Sequence, residues 1–154
     1  QRQMCIRDRK LSISYFTIMR EKKMPVLVMF IDLDRLKYIN DTFGHEYGDF
    51  AIVSIAKAML KHCDADAIAA RTGGDEFIVL EGAKDEESGR VLAQKIRTEL
   101  SKTQRAMQLP FDLSASIGVV VAHPGEENVL ESYVKRAEML MYEEKAEKKV
   151  SRDS

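Results

Sequence analysis

The sequence predicts an α/β domain of the α+β type, in which helices pack on a mainly antiparallel sheet. Three features favour this class. The run from Pro25 to Ile31 is continuously apolar, as expected of a strand that is buried on both faces. A Gly-Gly pair separates two short strand-like segments, which is typical of a β-hairpin. Segments with apolar residues at helical spacing follow these strand regions, so sheet and helix alternate along the chain.

The first half of the chain predicts a helix and a hairpin after this strand. The spacing of apolar residues predicts an amphipathic helix from Glu46 to His62. The segments 67–71 and 76–80 are then predicted to pair as two strands. Gly73 and Gly74 lie between them, and because glycine accepts a positive φ we expect a tight turn at this tip.

The second half predicts a helix, a strand and a closing helix. A charged helix is predicted over 85–103, and the alternation over 113–121 predicts a strand with one face against the core. The last helix is predicted over 129–148, with an inward face of Leu130, Tyr133, Val134, Ala137, Leu140 and Met141. The order is therefore β-α-β-β-α-β followed by a helix, a ferredoxin-like core.

Composition supports one domain and excludes several function classes. The chain has 154 residues, 45% of them hydrophobic, which is enough for one core. Its formal net charge of -1, with both signs interleaved, predicts no nucleic-acid partner. The apolar run Leu11–Met19 is too short to cross a membrane, so we expect no membrane insertion. Cys5 and Cys63 have no metal-binding spacing, which fits reduced thiols and a cytoplasmic location.

Acidic residues stand at the ends of two predicted strands. Asp32 follows the first strand, and Asp75 and Glu76 lie at the hairpin tip. In the split β-α-β order these ends could meet at one edge of the sheet. Carboxylates that lie so near one another repel unless a cation compensates their negative charge. Hard oxygen ligands of this kind suit Mg²⁺ or Mn²⁺, which also takes substrate phosphate into its coordination shell. A metal and a nucleotide triphosphate are the economical explanation.

The segment Gly73-Gly74-Asp75-Glu76-Phe77 is the GGDEF signature, and its surroundings resemble the catalytic domain of the GGDEF family of diguanylate cyclases. The resemblance covers about 26–149 and implies a fold like that of nucleotide cyclases and polymerase palms. It divides the chain into an N-terminal segment over 1–24, helical or partly truncated, the GGDEF catalytic domain over 25–150 and a tail over 151–154. The further matching segments are Phe30–Lys37, Ile39–Asp41, Gly44-His45, Gly48-Asp49, Ser116–Gly118, Arg136-Ala137 and Tyr142–Lys145.

The resemblance implies a metal site with catalytic carboxylates. Asp32 and Asp75 would bind Mg²⁺ (or Mn²⁺) through their side chains, and Leu33 through its backbone carbonyl. Glu76 would be a metal ligand or the base near the attacking 3′-hydroxyl. Asp34 is open to two interpretations, a second ligand or the cap of a helix that begins nearby, and we favour the cap.

The resemblance also implies a GTP site. A carboxylate can accept hydrogen bonds from N1-H and the exocyclic amine of guanine, whereas adenine presents an acceptor at N1, so GTP is preferred over ATP. Gly73 and Gly74 would let the backbone approach the nucleotide, and backbone N-H groups around Leu36 would hold the terminal phosphate. The side chains assigned to phosphate are Lys37, Lys145 and Lys149, and those assigned to guanine are Asn40 and Asp49.

The implied activity is the condensation of two GTP molecules into cyclic di-GMP with release of pyrophosphate. Because one domain of this kind holds one GTP, two domains would have to face each other, so we expect a homodimer. The family usually carries an upstream sensor or receiver domain, which is not visible in this chain. The alternative is a catalytically silent GTP-binding regulatory GGDEF module. A ferredoxin-like nucleic-acid binder is disfavoured by the near-neutral charge.

The sequence departs from the family pattern in three places. The closing helix lacks the usual Gly-Arg pair and has Lys149 in place of arginine, which keeps the charge but not the bidentate fork. The Arg-x-x-Asp element of the product-inhibition site is replaced at Asp64 and Ala67, so we predict no tight product binding there. The N-terminal Asp-x-Leu-Thr-Gly-Leu segment is missing. Lys148 fits no family position and is predicted to be a solvated residue near the helix end.

Overall fold

The computed structural model describes residues 9–153 and is built on one four-stranded sheet. The strands are β1 (Val26–Leu33), β2 (Ile68–Arg71), β3 (Glu76–Gly82) and β4 (Ala115–Ala122), and the helices are α1 (Arg9–Glu21), α2 (Leu36–Phe43), α3 (His45–His62), α4 (Glu86–Ala106) and α5 (Leu130–Asp153). The strand order is β2-β3-β1-β4, and all three pairings are antiparallel. This arrangement confirms the predicted ferredoxin-like core, with α1, α2 and α5 as additional helices.

Strand β1 is the centre of the sheet, and all eight of its residues are buried. Met29 and Ile31 lie in the core formed with α3 and α4, whereas Val28 and Phe30 lie in the core formed with α1 and α5. Helices therefore cover both faces, as the continuous apolar run predicts. The acidic residue that follows Ile31 points to the α5 side, because successive side chains alternate between the two faces.

Strand β4 differs from the prediction of one buried face. Ser116 and Val120, on the side expected to face solvent, are buried because α5 packs over them. The close approach requires Gly118, since a Cβ there would lie 1.9 Å from the carbonyl oxygen of Ala137. The prediction that Leu140 faces inward is also wrong, because this side chain is 41% exposed, whereas Ala137 and Met141 on the same helix are buried.

The two terminal helices pack on the same face of the sheet. Helix α1 falls within the predicted N-terminal segment, and the ring centroids of Phe16 and Tyr133 on α5 are 5.8 Å apart. Helix α5 runs on to Asp153, past the predicted helix end and without a break at 150. Cys63 is buried in the core, and Cys5 lies outside the described residues. Within residues 9–153, no helix has the length and apolar character needed to cross a membrane.

Candidate active site

The hairpin tip lies directly against the end of β1. Asp32 and Glu76 are paired in the antiparallel register, and the amide of Leu33 donates to the carbonyl oxygen of Asp75 at 3.0 Å. The Leu33–Asp75 hydrogen bond extends the pairing of β1 and β3 by one residue, to the residue just before β3 begins. The Asp75 carboxyl consequently lies within hydrogen-bonding reach of Asp32. The structure thus brings Asp32, Asp75 and Glu76 together at one edge of the sheet, which we call the acidic edge.

Asp32 is a buried carboxylate in a poorly compensated environment. Its side chain is 9% exposed, and its Oδ1 atom has no hydrogen-bond partner among the described residues. Burial raises the pKa of Asp32 to about 7, Lys145 opposes the shift, and the neighbouring Asp75 carboxyl adds to it. The pKa of Glu76 is also raised, first by burial and then by Asp75 and Glu138. A bound cation would relieve both shifts.

The residues at this edge fit a divalent metal that brings further ligands with it. Asp32 and Asp75 offer side-chain oxygens, and the backbone carbonyl of Leu33 lies at the same strand end. Among residues 9–153, no three His, Cys, Asp or Glu side chains are grouped so that they could hold an ion by themselves. Mg²⁺ in proteins often uses one or two carboxylates and completes its shell with water and substrate phosphate. The donor set therefore suits a metal bound together with a nucleotide.

The two glycines of the hairpin do not have the conformation expected from the sequence. Among the described residues, the glycines with positive φ are Gly44 and Gly125, so the positive φ expected at Gly73 and Gly74 is wrong. A Cβ at Gly74 would have no atom of residues 9–153 within 4 Å, so this part of the chain leaves space open over the turn. The turn is instead held by Arg71, whose Nη2 atom donates to the Gly74 carbonyl oxygen at 2.6 Å and whose Nε atom donates to the Gly73 carbonyl oxygen at 3.1 Å.

Cationic side chains line a cavity next to the acidic edge. Nζ of Lys145 donates to the Leu33 carbonyl oxygen at 3.0 Å and lies 3.3 Å from Oδ2 of Asp32. The adjoining cavity has a volume of about 290 Å³. Helix α2 begins at Leu36, beside this cavity, whereas Lys37 is exposed on α2 and outside its lining. The lining residues are Asp34, Arg35, Lys145, Ala146, Lys149 and Arg152.

Asp34 is an anchoring group and not a helix cap. Helix α2 is preceded by Arg35 in the left-handed conformation without a side-chain cap. The Asp34 carboxylate instead accepts hydrogen bonds from the hydroxyls of Ser114 and Ser116, each at 2.7 Å, and from Nζ of Lys148 at 2.6 Å. Burial by itself would raise the pKa of Asp34, but the three hydrogen bonds outweigh it and hold this pKa below its ordinary value. The predictions of a cap at Asp34 and of a solvated Lys148 are both wrong.

The two residues assigned to guanine lie on adjacent helices. Asn40 is on α2 and Asp49 is on α3, and Asp49 is exposed. A Cβ at Gly48 would fall 1.7 Å from Oδ1 of Asn40, so the Asn40 side chain lies directly on the Gly48 backbone, next to Asp49. The structure therefore places the Asn40 side chain against the residue that precedes Asp49 in the chain.

Several residues at the site could not be identified from their sequence pattern. Glu138 and Tyr142 on α5 both lie near the acidic edge. The pKa of Tyr142 is raised, first by burial and then by the nearby charges of Glu76 and Glu138. The spacing of four between Glu138 and Tyr142 places them on the same helix face as Lys145, and that spacing, together with the family match from Tyr142 to Lys145, is a signal that could have indicated them. Arg152 was assigned to a tail, but the helix continues through it to the cavity.

Fold and site together define the class of the protein: a ferredoxin-like α/β domain with an acidic strand edge beside a cationic cavity. The chain belongs to the GGDEF family, because the family described as "Diguanylate cyclase, GGDEF domain" matches residues 7–151. This match confirms the family predicted from the signature and its companion segments.

Curated relatives include several diguanylate cyclases. The diguanylate cyclase VdcA of Vibrio cholerae is 34% identical over 134 residues, which cover 84% of this chain and 39% of that protein. The probable diguanylate cyclase DgcT of Escherichia coli is 35% identical over 127 residues, covering 80% of this chain and 28% of that protein. The chain thus spans well under half the length of these relatives.

Solved structures of GGDEF-type domains have the same fold. The active GGEEF domain of a diguanylate cyclase from Vibrio cholerae aligns with a TM-score of 0.77 and 26% identity, covering 92% of this chain and 90% of that one. The GGDEF domain of YfiN (TpbB) from Pseudomonas aeruginosa aligns with a TM-score of 0.77 and 28% identity, covering 94% of this chain and 92% of that one. More than nine tenths of this chain therefore shares its fold with these domains.

Proposed function

We propose that this chain is a diguanylate cyclase domain that acts in cyclic di-GMP signalling. The 3′-oxygen of one GTP attacks the α-phosphorus of a second GTP, a new P-O bond forms, and the bond to the β-phosphate breaks with release of pyrophosphate. The hydroxyl proton passes to a base. The same step in the opposite direction closes the ring, so two GTP give one cyclic di-GMP and two pyrophosphates.

The observation that carries this proposal is the juxtaposition of Asp32 and Asp75 beside Lys145. The buried Oδ1 of Asp32, which has no hydrogen-bond partner within residues 9–153, and the raised pKa of this residue favour a cation at this edge. Asp32, Asp75 and the Leu33 carbonyl would hold Mg²⁺ or Mn²⁺, with Glu76 as a further ligand or as the base. The metal, when bound, neutralises triphosphate charge and makes the 3′-hydroxyl more acidic.

The chain's own cations have a separate task in the proposal, to bind and orient the triphosphate. Lys145 and Lys149 line the cavity beside the acidic edge, together with Arg35 and Arg152, and phosphate oxygens would accept hydrogen bonds from these side chains. The start of α2, directly after the cavity-lining Arg35, would add backbone N-H groups as further phosphate donors. Holding the α-phosphate in line with an incoming 3′-oxygen is the positioning part of catalysis.

Guanine selection by Asp49 gives a direct prediction. In Asp49→Ala the carboxylate that accepts from guanine N1-H and the exocyclic amine is lost, so the preference for GTP over ATP, measured as the ratio of kcat/KM values, should fall by about 10- to 100-fold. Glu46→Ala, an exposed acid on the same helix, is the matched control and should keep the preference. An unchanged GTP preference in Asp49→Ala would mean that guanine is selected elsewhere.

Turnover in the proposal requires two domains that face each other, because each supplies one GTP. The test is to fuse the chain to a dimerising coiled coil, incubate it with GTP and Mg²⁺, and separate the products by chromatography. Cyclic di-GMP should form in the fused dimer and fall steeply on dilution of the unfused chain. GTP that binds to the fused dimer without turnover would instead support the silent regulatory module.

Two further expectations belong to the same proposal. Since the curated relatives are much longer than this chain, we propose that an upstream sensor or receiver domain controls dimerisation in the whole protein. We also propose a cytoplasmic location, because the reaction consumes GTP.

A further inference from the structure

Lys148 makes a second connection between α5 and the end of β1, separate from that of Lys145. Its Nζ atom lies 2.6 Å from Oδ2 of Asp34 and donates to the Ala115 carbonyl oxygen at 2.8 Å. Asp34 is 6% exposed, and its remaining hydrogen bonds come from two neutral serine hydroxyls. Lys148 is thus the cation that directly compensates a buried negative charge.

The orientation of Lys148 is fixed by neighbouring contacts on the same helix. Glu144, one turn earlier, accepts a hydrogen bond from the Ile117 amide at 2.7 Å and also pairs with Arg97. Its Oε2 atom lies 3.7 Å from Nζ of Lys148. Glu144 and Lys148 therefore bind backbone groups of two alternate residues of β4, an edge strand of the sheet, and this holds the helix turn in place.

Asp34 also lies at the boundary of the cationic cavity. It lines the cavity together with Lys145, Lys149 and Arg152, so its charge would face any polyanion that binds there. If Lys148 were absent, Asp34 would either repel the polyanion or attract Lys145, which is three residues earlier on the same helix and is now engaged with Asp32 and Leu33. Either outcome lowers the affinity of the cavity for phosphate.

We propose that Lys148 is a positioning residue for nucleotide binding: by compensating Asp34, it leaves Lys145 free to serve the acidic edge and the triphosphate. This inference rests on the proposed function, because it takes the polyphosphate of GTP as the ligand. It assigns Asp34 to the anchoring of α5 and not to the metal. Lys148 acts through Asp34 and Lys145 and does not itself contact the reacting atoms.

The test uses equilibrium binding, which does not require turnover. Affinity for a GTP analogue with an uncleavable methylene bridge between the α- and β-phosphates is measured by calorimetry with Mg²⁺, in the wild type, Lys148→Met, Asp34→Asn and the double variant. Lys148→Met should bind about tenfold more weakly, since a negative charge beside the phosphates is left uncompensated. In the double variant that charge is gone, and affinity should return to within about threefold of the wild type. Lys148→Arg keeps the positive charge and should bind the analogue about as tightly as the wild type.

The controls separate this role from a loss of folding and from failure of the proposed function. Lys135→Met, an exposed lysine of the same helix, should bind like the wild type. Unfolding by urea shows whether each variant is folded at the assay temperature. Equal affinity in Lys148→Met and wild type, or a double variant as weak as Lys148→Met, overturns the inference. If the wild type binds the analogue but makes no cyclic di-GMP, only the cyclase proposal is refuted. If the wild type does not bind the analogue, the cyclase proposal and the role of Lys148 are both refuted.

Discussion

Asp75→Ala is expected to lower cyclic di-GMP synthesis by at least about a hundredfold. The substitution removes one of the carboxylates of the acidic edge, whereas the backbone carbonyl that accepts the hydrogen bond from the Leu33 amide remains. The variant should therefore fold like the wild type and lose the chemistry. The measurement is chromatographic detection of product from the dimerised protein with GTP and Mg²⁺.

The control for this prediction is an aspartate away from the site. Asp66→Ala changes an exposed acid in the turn before β2 and should leave the rate unchanged. Product formation by Asp75→Ala at more than about a tenth of the wild-type rate would show that this carboxylate is not needed, and the metal site proposed here would be wrong.

Gly118→Ala is expected to have the largest effect on stability. The added Cβ would lie 1.9 Å from the Ala137 carbonyl oxygen and 2.6 Å from the Met141 amide nitrogen, so α5 would have to move away from β4. Because both contacts are with backbone, a rotamer change cannot relieve them, and the free energy of unfolding should fall by about 1–3 kcal/mol or more. Urea unfolding followed by circular dichroism measures this change.

Gly74→Ala is the matched control for stability. A Cβ at Gly74 would have no atom of the described residues within 4 Å, and the φ of Gly74 is not positive, so the urea midpoint should stay close to that of the wild type. Equal midpoints for Gly118→Ala and the wild type would contradict the close packing of α5 on β4. The position of Lys145 on that helix would then need another explanation.

The elements with a strong local pattern were predictable. The continuous apolar run identified β1 as a strand with both faces buried, and the Gly-Gly pair located the hairpin between β2 and β3. Once the strand order was inferred, the proximity of Asp32 and Asp75 followed from topology. Tertiary packing overrode the local pattern at β4, where α5 covers the side that alternation assigned to solvent.

The polar anchors could not be predicted, because their partners are distant in the sequence. Asp34 is 80 residues from Ser114 and 114 residues from Lys148, so no local pattern distinguishes this anchor from an ordinary helix cap. The role of Arg71 was equally hard to predict. Two adjacent glycines are enough to explain a hairpin turn, so the local pattern offered no reason to expect a side chain that binds the carbonyl oxygens of that turn. In each case local chemistry offered a simpler role than the one the fold assigns.

The central claim is that Asp32 and Asp75 bind a divalent metal together with the triphosphate in the adjoining cavity. Mn²⁺ binding in the presence of the methylene-bridged GTP analogue, followed by electron paramagnetic resonance, tests it most directly. We predict bound Mn²⁺ in the wild type that requires the analogue and is lost in Asp32→Asn, which keeps the shape of the side chain. Bound Mn²⁺ that persists in Asp32→Asn, or analogue that binds equally well without any metal, would contradict the claim.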